Sequence, residues 1–198
     1  MILIDAIAAN PIISDVCRWL LEAGFKGEKS VLQKELPAIY ERILDMGCGT
    51  GMMTSLFSPV NYSGIDPNQK HISWARKKHP HYRFMVMDGR NTGFQSDAFD
   101  VILIGGVIHH LNNADGNAIL KEACRVLKPR GKLIIWEDIP ALNDANIIGR
   151  LIHRLDDGDH IRSAAQYIDI VKTYFSITKE YTMTSGVCDY IVITGQKY

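Results

Sequence analysis

Apolar residues along the 198-residue chain change their spacing repeatedly, and each change marks an element. Ile13, Val16, Cys17, Leu20 and Leu21 recur at helical spacing, and residues 10–40 read as two helices divided by the turn Gly24-Phe25-Lys26-Gly27. The apolar face of the first is expected to pack on the core, leaving Arg18 and Trp19 free to wall a pocket. Arg42 to Met46 is the first strand, and Thr50 to Phe57 is expected to continue as a helix. Asn61 to Asp66 forms the second strand, Asn68 to Lys78 a helix stopped by Pro80, and Tyr82 to Met87 the third strand. Phe99 to Ile104 is apolar almost throughout, the pattern of a strand buried on both faces. Ile119, Leu120, Ala123, Cys124 and Leu127 mark a helix over 117–127, and Pro129-Arg130-Gly131 turns into a strand from Lys132 to Glu137.

The last part of the chain changes style. Ser163-Ala-Ala-Gln166 is a capping box for a helix running to about Tyr174, and Ile177 to Thr184 and Asp189 to Thr194 make a hairpin through Ser185-Gly186. Strands alternating with helices predict an α/β domain with a parallel sheet, and the hairpin makes one strand antiparallel. We therefore expect a single domain of seven strands. Residues 1–40 are its helical cap, 41–138 the ligand-binding core, 139–162 a polar insertion, and 163–198 the last helix and hairpin.

Composition narrows the choice of partners. Lysine plus arginine (22) balances aspartate plus glutamate (22), so no net field draws the chain toward nucleic acid or anionic lipid. No run of residues approaches the ~18 to 20 apolar positions of a membrane span, and the start lacks a basic leader, so a cytoplasmic location is expected. Cys17, Cys48, Cys124 and Cys188 show no metal-ligand spacing.

The stretch RILDMGCGTG places glycines at 47, 49 and 51 directly after a strand, where bare backbone and positive φ let a ligand lie close. It lacks the GxGxxG of dinucleotide sites and the GK[ST] of triphosphate sites. Asp66 and Asp88 close the second and third strands, at the carboxyl end where open α/β sheets bind ligands. A ribose, an adenine and no phosphate suit such a site, and S-adenosylmethionine (SAM) has these parts.

ILDMGCGTG, SGIDPN, FMVMDG, FDVILIGGVIHHL and EACRVLKPRGKLIIWED, in this order over residues 42–138, resemble the motifs of class I SAM-dependent methyltransferases of the free-standing bacterial small-molecule kind. The resemblance implies a Rossmann-like methyltransferase sheet with SAM as cofactor and S-adenosylhomocysteine (SAH) as product. It implies that Asp45, Gly47, Cys48 and Gly49 surround the methionine end, that Asp66 holds the ribose, and that Pro67 with Asp88 and Gly89 flanks the adenine. Gly105 would offer its carbonyl to the amino group.

Transfer from a sulfonium asks the protein to align the acceptor and exclude water, and a hydroxyl acceptor gains from a general base. His109, with His110 beside it, is the candidate base, against the alternative that both only brace the loop. A small-molecule acceptor methylated at oxygen is expected, with N- or C-methylation, or SAM binding without catalysis, as alternatives. The acceptor is expected to meet Trp19, His160 and Arg162, and cofactor contacts to begin only at Asp45. The loop containing His153, Asp156, Asp157, Asp159 and His160 is a poor metal cage, and no metal is expected. Cys48 fills a small space and is no nucleophile, and Trp74 and Trp136 read as core or rim aromatics.

Overall fold

The computed structural model describes residues 11–143, 146 and 160–198. Helices α1 (Pro11–Leu21) and α2 (Lys26–Glu35) precede β1 (Ile43–Met46), followed by β2 (Tyr62–Asp66), α3 (Gln69–Lys78), β3 (Arg83–Val86) and β4 (Phe99–Gly105). Then come α4 (Asn113–Val126), β5 (Leu127–Asp138), α5 (Ala164–Lys172), β6 (Phe175–Ser185) and β7 (Cys188–Lys197). Seven strands form one sheet in the order β3-β2-β1-β4-β5-β7-β6, parallel except for β7, which runs against both neighbours. The chain leaves β1 in one direction and returns at β4 in the other, so a crevice opens at the carboxyl ends of these two strands.

Alternation within the apolar strands explains the two-sided core. Ile102 and Ile104 of β4, with Leu133 and Ile135 of β5, pack under α4 and α5 against Ile119, Leu120, Ala123, Tyr167 and Val171. Val101, Leu103, Ile134 and Trp136 point the other way, toward a core that includes Val31 and Leu32 of α2 and Ile72 and Ala75 of α3. Ser163 caps α5 in the expected reciprocal box with Gln166.

Three expectations fail for local reasons. Thr50 to Phe57 yields only a 3-10 turn at Thr54–Leu56, because Gly49 and Gly51 at φ 52° and 78° hold the preceding backbone outside the helical region. The strand expected from Lys132 starts at Leu127 and absorbs Pro129-Arg130-Gly131 as an irregularity, with Arg130 at φ 62°. Helix α1 lies the other way round: Ile13, Val16 and Leu20 of its apolar stripe are 43–65% exposed. Its polar residues Asp15 and Arg18 find partners instead, Arg18 with Glu22 just past the helix end.

Candidate functional site

Asp45 lies next to the end of β1, beneath the glycine turn. Tyr62 donates to its Oδ2 at 2.7 Å, and burial with nearby Asp66 pushes its carboxyl up to about 7 despite that bond. The turn itself crosses onto β2, with the N–H groups of Gly47 and Cys48 both donating to the Ile65 carbonyl. A Cβ on Gly47 would stand 2.4 Å from Val107, and Gly49 has nothing within 4 Å of its Cβ position. Asp66 accepts from the Gly49 N–H at 3.0 Å and the Asn68 N–H at 2.8 Å, so the β2 acid also fixes the turn. Trp136 lies so close to Gly105 that a Cβ there would be 2.4 Å from the indole. These side-chain-free surfaces meet in a cavity of about 60 Å³, lined by Asp45, Gly47, Gly49, Gly105 and Trp136 together with Arg18, Phe25 and Glu28 of the cap.

The cap residues were not expected in a cofactor site. Asp15 accepts from the Thr50 hydroxyl at 2.5 Å, and Lys78 of α3 lies 3.6 Å from Asp15, which seats α1 over the glycine turn. Arg18 donates to Glu22 at 2.8 Å and lies over the Phe25 ring. The lining of the cavity therefore begins at Arg18 in α1, ahead of Asp45. The spacing of Asp15, Arg18 and Glu22 at i, i+3 and i+7 was the available signal. Trp19 lies outside the cavity lining, its indole 3.3 Å from the Cβ position of Gly24.

At the carboxyl ends of β2 and β3, the Asp66 carbonyl accepts from the Met87 N–H and brings Asp88 and exposed Pro67 toward one edge. Arg90 pairs with both oxygens of Asp88 and bridges to Asp115 at 2.6 Å. Gly89 packs against Ile119 and Met46. Burial raises the Cys48 thiol well above its ordinary range, which keeps it protonated and unsuited to attack.

Beyond Gly105 the chain makes a 3-10 turn, Ile108–His110, held at both ends by opposite charge types. Glu137, fully buried, accepts from the N–H groups of Val107, Ile108 and His109 and from His109 Nδ1 at 2.8 Å. At the carbonyl end all five donors of Arg162 are taken, by Ile108, Leu111, His160 and Asn113. Arg162 is thus a brace for this turn, and its guanidinium has no donor left for an acceptor molecule. His109 is buried, with Nε2 3.6 Å from Asp138, and the His110 ring lies tilted against it with centroids 4.0 Å apart. The exposed His160 donates its N–H to the His109 carbonyl and borders a separate surface depression of about 510 Å³. His153, Asp156, Asp157 and Asp159 lie outside the described residues.

Neither Glu137 nor Asp138 was expected at the site, although each follows directly on the apolar run of β5. Among the described residues no group of three potential ligands is placed to hold a metal, and no helix is long and apolar enough to cross a membrane.

Residues 44–135 match the family model described as a methyltransferase domain. The chain is similar to a demethylmenaquinone methyltransferase of Thermotoga maritima, 31% identical over 119 residues that make up 58% of this chain and 51% of that one. It is similar to a probable tRNA methyltransferase 9B of Homo sapiens, 35% identical over 109 residues, 54% of this chain and 23% of the other. The chain thus spans about half the length of the first of these curated relatives and less of the second. A SAM-dependent methyltransferase from Methanosarcina mazei has the same fold, with TM-score 0.68 at 19% identity, covering 84% of this chain and 96% of that one.

Proposed function

We propose that the chain, whose residues 44–135 match a methyltransferase domain, is a class I SAM-dependent methyltransferase that transfers a methyl group to a small molecule, at a hydroxyl oxygen. When bound, SAM supplies an electrophilic methyl on a sulfonium. The chain's own part is to hold the cofactor on bare backbone at Gly47, Gly49 and Gly105, to accept the ribose hydroxyls at Asp66, and to bring a base to the acceptor.

The observation that carries the oxygen reading is the Glu137–His109 pair. Every hydrogen-bonding direction of Glu137 is filled by a donor, so Nδ1 carries the imidazole proton and Nε2 is turned toward Asp138 Oδ2 at 3.6 Å. An oriented imidazole suits removal of a hydroxyl proton, which then passes to Nε2 as the methyl–oxygen bond forms. The small-molecule reading draws support from the demethylmenaquinone relative and from zero net charge. The cofactor reading expects no metal, and the location expected is cytoplasmic.

Purified protein with labelled SAM, offered hydroxylated aromatics, small amines and tRNA in parallel, tests this reading. Label transfer to a hydroxyl compound, lost in His109→Ala with SAH affinity kept, is the expected result. Preferential labelling of tRNA overturns the acceptor assignment, as labelling of amines alone overturns oxygen. SAH binding with no transfer to any acceptor class favours a non-catalytic SAM-binding partner.

A further inference from the structure

Glu28, on the first turn of α2, is 1% exposed, yet it lines the cavity that Gly47, Gly49 and Gly105 share. Its Oε2 accepts the Ser185 hydroxyl at 2.6 Å, while Oε1 is buried without a hydrogen-bond partner. A buried carboxyl oxygen that meets no fixed donor, only the neighbouring Glu22 carboxyl, is costly unless a proton or a ligand completes it. The other charged or titratable groups around it are Glu22 and Arg18 from α1, Tyr190 from β7, and Asp45 across the cavity from β1. Arg18 is already engaged with Glu22, so Glu28, which meets Glu22 carboxyl to carboxyl, is the acid left without a paired cation.

We propose that Glu28 is the subsite for the ammonium of the cofactor's amino-acid end, and that its carboxyl gives up a proton to solvent when that cation arrives. This rests on the methyltransferase reading above. Before binding, burial and the adjacent Glu22 hold the Glu28 carboxyl up to about 8, so it enters the encounter protonated at neutral pH. In the bound state the ionised carboxylate faces the ammonium, which keeps its own protons, and the released proton leaves through water. Cofactor capture and closure of the N-terminal cap thereby become one event, since Glu28 belongs to the cap and Gly47, Gly49 and Gly105 belong to the sheet.

Calorimetric titration of the full chain with SAH and with 5′-methylthioadenosine, which lacks the amino-acid end, separates the possibilities. Glu28→Gln is expected to weaken SAH about tenfold or more while leaving methylthioadenosine within about twofold. Retained methylthioadenosine binding also shows that the variant is folded. Titrations in buffers of different ionisation enthalpy should show wild type releasing more protons per SAH than Glu28→Gln near pH 7, any remainder belonging to Asp45. If Glu28→Gln binds neither compound, the wild-type preference for SAH over methylthioadenosine must rise between about pH 6.5 and 8.5 for the proposal to stand. Equal weakening of both ligands at a folded variant, or a flat wild-type preference, overturns it. Wild type that binds neither ligand refutes the methyltransferase reading instead.

Discussion

A single atom exchange at Glu137 reverses the chemistry offered by His109. In Glu137→Gln the amide oxygen still accepts from Val107 and Ile108, but its NH₂ then faces His109 Nδ1. The imidazole must move its proton to Nε2 and loses its base at the acceptor side. Turnover is expected to drop by about 10²- to 10⁴-fold, as in His109→Ala, with SAH affinity unchanged in a titration. Loss of SAH binding in both variants would make the pair a brace only. Asp66→Ala should weaken SAH by about tenfold or more, because it removes the ribose acceptor and also the bond that orients the Gly49 N–H. Unchanged SAH affinity in the folded variant would remove the ribose from Asp66.

Between elements, the hairpin tip holds the cap. Ala23, Gly24 and Phe25 all take positive φ in the α1–α2 turn, a strained path for two residues with side chains. The tip over-determines it: the Val187 N–H donates to the Leu21 carbonyl, and Ser185 donates to the Glu22 carbonyl or to Glu28. Gly186 sits so close that a Cβ would lie 1.9 Å from the Leu21 oxygen. Gly186→Ala should therefore lower the thermal midpoint and weaken SAH together, by lifting Glu28 away from the cavity; a melting curve and a titration on one preparation check both. None of this tip-to-cap docking was legible in the chain, since its partners are some 158 positions apart. The sheet was legible because β4 and β5 are apolar on both faces, and the glycine turn because few ligands need backbone so bare. The orientation of α1 was misread because an apolar stripe predicts burial only where no polar stripe has better partners, and Asp15 and Arg18 have them.

Across the whole molecule, buried carboxyls divide stability between two pH limbs. Arg125, opposed by burial and helped by Thr92, holds Glu122 at about 2, where it fastens the segment after β3 to α4. A carboxyl depressed from 4.5 to about 2 contributes fully above pH 4.5, and that contribution drains away as pH falls toward about 2. Glu28 has the opposite sign: raised to about 8, it favours the folded state at low pH, and the benefit is lost as pH climbs from 4.5 through about 8. Urea midpoints measured across pH should thus fall at both ends, with Glu122→Gln flattening the acid limb and Glu28→Gln the basic one. A variant that leaves its limb as steep as wild type would remove that residue from the account.

The clasp between Ser185 and Glu28 also sets a timetable. A ribosome delivers α1, α2 and the glycine turn early, yet the wall that completes the cavity is seated by residues near the end of β6, 157 positions later. Until those residues emerge, the α1–α2 turn keeps its strained path without the hairpin tip that holds it, so a segment made before the sheet settles after it. Nascent chains stalled before Ser185 should therefore shelter under SAH poorly in a protease digest, and chains released with all of β7, the strand that joins β6 to β5, should gain that shelter in one step.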